Sequence, residues 1–251
     1  MIKRLYLNTY RLNEWGPFGN VKIYLLIGKE KAMLIDSGYG QKDLSKEIRK
    51  ITKNPVKVFL THGHIDHAGG TFRFSDVYLK KEDQEVFRRH TSFDFMSKHL
   101  KTSPHEYPIP QEIHLGKIDL GDREIEIVST PGHTPGSVSF VDREGKVAFV
   151  GDFINPWDTW LGLEESLEVK EFLNSLKQFK KVIQDNDIKK IYSGHNLIPM
   201  TPQIIEDYII FCEKIIRGEI KNQKYKNKGI CKGFFSKYKK AKLIYKKESI
   251  K

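Results

Sequence analysis

Four side chains with metal-ligand chemistry fall within six residues in His62-Gly63-His64-Ile65-Asp66-His67. Imidazole nitrogen and carboxylate oxygen are good ligands for zinc and similar divalent ions. His62 and His64, two residues apart, can face the same way on an extended or looped backbone. Gly63 removes bulk where the chain must turn tightly. Asp66 and His67 can then point toward a second ion. Three further candidates follow apolar segments or glycines: His133 in Gly132-His133-Thr134, Asp152 in Val150-Gly151-Asp152, and His195 in Gly194-His195-Asn196. Loops converging at one edge of a rigid scaffold are where catalytic residues concentrate. A lone loop histidine is ordinarily surface decoration, and His90, His99, His105 and His114 lack any such setting.

The elements that must position these residues are legible as two similar rounds of strands and helices. Lys3–Leu12 alternates, and Val21–Ile27, Ala32–Ile35 and Val56–Leu60 are short, apolar and rich in branched residues, so strands are expected. Trp15–Asn20 contains Gly16, Pro17 and Gly19 and reads as a turn. Lys42–Ile51 has helical spacing, and Lys81–His99 reads as polar helix. The second round predicts strands at Ile113–Ile118, Glu124–Ser129, Ser137–Val141, Val147–Val150 and Lys190–Ser193. Helices are expected over Val169–Gln184 and Gln203–Arg217, the latter with Pro202 at its start. No internal repeat at a fixed period is present.

The 251 residues suffice for a sizeable core without disulfide staples. Cys212 and Cys231 form neither a C-x-x-C pair nor a disulfide framework. The first residues lack the apolar core of a secretory signal, no apolar run is long enough to span a membrane, and a cytoplasmic location is expected. The net charge of +11 resides in residues 221–251, which hold 12 Lys against one acid, Glu248; residues 1–220 carry 31 basic and 31 acidic residues. Tyr225, Phe234, Phe235, Tyr238 and Tyr245 interleave with those lysines. Such a mixture suits nucleic acid, yet a solvated lysine-rich face is the commoner case, with Ala241–Tyr245 as a last strand at a sheet edge. A lysine patch also attracts anionic small substrates. The expected organisation is a catalytic domain over 1–220 with a Lys-rich segment, 221–251, packed on it.

At this point the sequence resembles the metallo-β-lactamase superfamily. The matching strings are LIDSGYG at 34–40, THGHIDHAGG at 61–70, TPGHTPGSVSF at 130–140, FVGDF at 149–153 and YSGHN at 192–196, in the family's order. The resemblance implies an α/β fold, a four-layer αββα sandwich with metals at one edge of its two sheets. It implies that His62, His64 and His133 hold one metal, that Asp66, His67 and His195 hold another, and that Asp152 bridges them. Asp36 corresponds to an aspartate that orders the ligand loop from behind. The bridging Asp152 is unlike the β-lactamase classes proper. His64 is unlike flavin-linked diiron members, and residues 68–132 leave no room for the insertion of RNA-cleaving members.

These departures point to the glyoxalase II and lactonase-like hydrolases. The expected enzyme binds two divalent ions, zinc first, with iron or manganese as alternatives. It would use a metal-bridging hydroxide to attack the carbonyl of a small thioester or lactone, with Asp66 also able to hold the transferred proton. A mononuclear-iron persulfide dioxygenase and a phosphodiesterase or nuclease are the competing expectations. Tyr39, Trp157, Trp160 and Asn196 are candidate substrate contacts, the aromatics as walls over an apolar part of the ligand or as packing. A small-molecule substrate is expected as the partner, with nucleic acid less favoured.

Overall fold

A computed structural model describes residues 2–102, 105–227, 231–246 and 248. Contacts divide the chain into two compact units: residues 1–127 with 194–197, and residues 128–193 with 198–251.

The first unit is built on a seven-stranded sheet in sequence order: β1 (Lys3–Tyr6), β2 (Thr9–Gly16), β3 (Gly19–Ile27), β4 (Ala32–Ile35), β5 (Val56–Phe59), β6 (Val77–Leu79) and β7 (Gln111–Glu112). The expected Lys3–Leu12 strand is two strands, broken at Leu7, which takes φ +40° in the connecting turn. Strands β1–β4 pair antiparallel and β4–β7 parallel. β3 is buried on both faces, which explains its near-continuous apolar run. Ile23 and Leu25 pack with Leu34, Val58 and Leu60 against helix α1 (Leu44–Arg49), which starts where Asp43 accepts from the Lys46 amide at 3.0 Å. The expected helix over 81–99 divides into α3 (Gln84–His90) and α4 (Phe93–His99). Ser92 accepts from the Phe95 amide and begins the second helix, so a local cap interrupts the helical pattern. Strands β8 (Gly116–Asp119) and β9 (Glu124–Ser129) pair as an antiparallel hairpin.

In the second unit β10 (Val138–Asp142) pairs antiparallel with β11 (Val147–Phe149), which pairs parallel with β13 (Lys190–Tyr192). Helix α5 (Val169–Asp185) buries the stripe Phe172, Leu176, Phe179 and Ile183, spaced by four, three and four residues. A capping box between Glu168 and Glu171 sets its start. Helix α6 (Gln203–Ile216) begins after Pro202 and packs Tyr208, Phe211, Cys212 and Ile215 into the same core. A second sheet has the order β12 (Thr159–Leu161), β16 (Ala241–Tyr245), β15 (Cys231–Tyr238), β14 (Gln223–Asn227). The strand expected at 241–245 therefore forms, but with neighbours on both sides rather than at an edge. No helix among the described residues is long and apolar enough to cross a membrane.

Candidate metal centre

In the first unit β4 and β5 are parallel neighbours with Ile35 opposite Phe59, so Asp36 and Thr61 leave the sheet side by side. Asp36 sits at φ +63°, a left-handed conformation that aspartate tolerates better than most residues. Its buried carboxylate accepts from the Thr61 amide at 2.7 Å, the Thr61 hydroxyl at 2.9 Å and His67 Nδ1 at 2.7 Å. The Thr61 hydroxyl lies 3.0 Å from His62 Nδ1. Asp36 thus aims two of the histidines predicted from the string.

His64 precedes the four-residue helix α2 (Ile65–Ala68), which carries Asp66 and His67. His62 Nε2 lies 3.0 Å from His64 Nδ1. The His67 carbonyl accepts from the Ser37 amide at 2.6 Å, locking α2 to the Asp36 loop. Gly63 lies against α3, its amide donating to the buried Asp83 carboxylate at 2.9 Å. A Cβ on Gly63 would sit 2.7 Å from Phe87 N and 2.8 Å from Asp83 O, both backbone atoms. Gly63→Ala is therefore expected to destabilise the protein by about 1–3 kcal/mol through overpacking, read as a lowered midpoint in denaturant unfolding.

His195 reaches the first unit from the far end of the chain. The Lys22 amide donates to the Gly194 carbonyl at 2.7 Å, and Arg11 donates to the Leu197 carbonyl at 2.5 Å. His195 Nδ1 then lies 3.1 Å from the Asn20 carbonyl. A carbonyl only accepts, so Nδ1 carries a proton, and in the neutral ring Nε2 presents a lone pair. Asp36 imposes the same tautomer on His67. Asp66 Oδ2 lies 3.3 Å from His195 Nε2 and 3.7 Å from His67 Nε2. Ligand atoms of these three residues fall within 4.8 Å of one another, an arrangement able to hold a metal ion. Three electron-rich atoms converging in a buried site repel unless a cation lies among them. The donor set therefore fits a divalent metal.

In the second unit His133 lies in a loop closed by the Thr130 amide on the Ser137 carbonyl. Its Nδ1 is 2.7 Å from the Trp160 carbonyl, which leaves Nε2 as the ligand atom by the same argument. Asp152 follows β11 after Gly151, at φ +50°, and its Oδ2 is 3.9 Å from His133 Nε2.

The substrate candidates fare differently. Tyr39 is buried, its hydroxyl donating to the Gly19 carbonyl and accepting from the Phe18 amide, so it clamps the β2–β3 turn. Asn196 caps its own loop by accepting from the Leu197 amide. Trp157 is 63% exposed, and Trp160 is half-buried. His90, given no site role by its sequence setting, stacks on His64 with ring centroids 4.6 Å apart. It also lies 3.4 Å from the Ile65 amide. No neighbouring sequence motif could have found it.

A family model described as the metallo-beta-lactamase superfamily matches residues 16–209, and the chain belongs to that superfamily. Its fold is the metallo-β-lactamase-like sandwich of sheets and helices that the five strings imply. Acyl-coenzyme A thioesterase MBLAC2 of Gallus gallus is 25% identical over 214 residues, covering 74% of this chain and 75% of the relative. Hydroxyacylglutathione hydrolase GloC of Haemophilus influenzae is 28% identical over 138 residues, covering 50% of this chain and 62% of the relative. A solved metallo-beta-lactamase family protein of Thermus thermophilus superposes with a TM-score of 0.66 at 22% identity, over 86% of this chain and 82% of that one. The thioesterase and the hydroxyacylglutathione hydrolase are both hydrolases, which supports an enzyme.

Proposed function

We propose that this chain is a two-metal hydrolase of a small thioester or lactone. The observation that carries the reading is the convergence of Asp66 Oδ2, His67 Nε2 and His195 Nε2, with both imidazole tautomers set from behind. In this reading Asp66, His67 and His195 hold one divalent ion, and His62, His64 and His133 hold a second. Asp152 bridges the pair, Asp36 orders the ligand loop, and zinc is the expected metal. The family match across residues 16–209 supports joining these residues in one centre. A bound pair of such ions supplies a nucleophile at neutral pH by lowering the pKa of water from 15.7 to about 7.

The chain's own groups then manage protons and orientation. Hydrolysis breaks the acyl C–S or C–O bond and joins water oxygen to the acyl carbon. The water proton passes to Asp66 and from there to the departing thiolate or alkoxide. The Nδ1 atoms of His67, His195 and His133 rest on Asp36, Asn20 and Trp160 acceptors, so these rings are oriented from behind.

Elemental analysis of protein purified without chelator is expected to give about two zinc ions per chain, as a dinuclear site requires. Asp152→Ala is expected to lower the retained metal and turnover together. Two metals and full turnover in that variant would remove the bridging role. A single iron with oxygen uptake would instead establish the persulfide dioxygenase.

A further inference from the structure

The Lys-rich end of the chain forms a sheet with two different faces. On one, Ala241, Leu243 and Tyr245, with Phe234 and Tyr238 packed against them, join the core of the second unit. Strand alternation places Lys237, Phe235, Lys242, Ile244, Trp160 and Tyr225 on the other. Trp160 meets Tyr225 edge-on at 6.4 Å between centroids. Lys242 Nζ stands 5.8 Å from the ring of Trp157, which is 63% exposed.

Lys237 and Lys242 are direct cross-strand partners. Like charges in that register destabilise a sheet, so the pair suits a bound anion. Lys237 has no ion-pair partner among the described residues. The acid near Lys242 is Asp158, whose carboxyl burial pushes above its ordinary range while Lys242 draws it back down. The face also borders the candidate centre: its strand β12 supplies the Trp160 carbonyl that holds His133 Nδ1 at 2.7 Å.

We propose that this face docks the nucleotide end of the substrate's thiol carrier, with a purine stacked on Trp157 and its phosphates between Lys237 and Lys242. This rests on the thioester reading above and selects, within it, thioesters whose leaving group bears a phosphorylated nucleotide. Aromatic rings supply the stacking partner and lysines the charge. A surface with one exposed indole and one lysine pair matches a single nucleotide.

The test uses metal-loaded, full-length protein with acetyl-coenzyme A and with S-acetyl-N-acetylcysteamine, which keeps the thioester but lacks the nucleotide. The K237E/K242E variant is expected to raise KM for the first about tenfold, with kcat changed less than about twofold. KM for the second should not move. Equal KM values for both proteins on acetyl-coenzyme A would overturn the proposal.

If the wild type hydrolyses neither thioester, the hydrolase reading on this substrate class fails, and the surface is tested by binding alone. Adenosine 3′,5′-bisphosphate is then expected to quench tryptophan fluorescence saturably, with the quench lost in Trp157→Phe and in K237E/K242E. Absence of quenching overturns the proposal. So does a single-stranded RNA that binds the same lysines and is not displaced by the bisphosphate. Circular dichroism of the double variant, expected to match the wild type, separates lost binding from lost folding.

Discussion

Asp66→Asn is expected to cut turnover by about 10³-fold while raising the melting temperature of the metal-stripped protein by about 2–4 °C. The two effects share one cause. Asp66 Oδ2 sits 3.3 Å from His195 Nε2 and 3.7 Å from His67 Nε2, and the opposite nitrogens of both rings face acceptors. With both imidazoles neutral and no cation between them, a buried carboxylate faces two lone pairs, an arrangement that costs free energy. The neutral amide can donate to one ring nitrogen and so relieves it. About 1 kcal/mol of relief in a chain of this size corresponds to that shift in melting temperature. With metal bound the order reverses, because the carboxylate is then a ligand and the amide a poor substitute. Calorimetry with and without chelator reads both. A variant that melts lower than the wild type in both conditions would show that Asp66 is held by protein contacts rather than kept for a metal.

What could be read in advance, and what could not, follows from where each kind of information lies. The ligand string and the strands that deliver it are local: Val56–Phe59 forms β5 and runs into Thr61-His62 as its pattern demands. The apolar stripe of α5 was likewise visible from spacing alone. The acceptors that orient the ligands were not. Asn20 and Trp160 act through backbone carbonyls, which every residue has, and no sequence pattern marks the one that meets an imidazole. The break between α3 and α4 turns on one serine cap within a stretch that otherwise reads as polar helix. The pairing of Thr159–Leu161 with Leu243–Tyr245 spans more than eighty residues, so the basic segment gave no local sign that its strand would support the His133 loop.

A loss of both stability and metal affinity is expected at Asp36, and two substitutions there separate the causes. Asp36→Ala removes the acceptor of the Thr61 amide, the Thr61 hydroxyl and His67 Nδ1–H, all buried. Each buried donor left without a partner costs about 1–3 kcal/mol, so a loss of about 3–5 kcal/mol is expected in chemical denaturation. Alanine at φ +63° adds strain that aspartate bears more easily. Asp36→Asn keeps one acceptor oxygen. If the amide NH₂ faced the Thr61 amide, two donors would oppose each other with no means of adjustment. Facing His67, it meets a ring that can move its proton from Nδ1 to Nε2. That orientation costs less and should prevail. The asparagine variant should therefore recover much of the stability, yet its His67 presents N–H where a ligand lone pair is needed. Metal affinity at the Asp66, His67 and His195 group is expected to fall by about 10–100-fold, as for other supporting carboxylates. Metal titration gives the affinity, and ¹⁵N spectra of the histidine rings give the tautomer. Full metal affinity in Asp36→Asn would mean that His67 is oriented by packing alone, and the carboxylate's role would shrink to ordering the Thr61 turn.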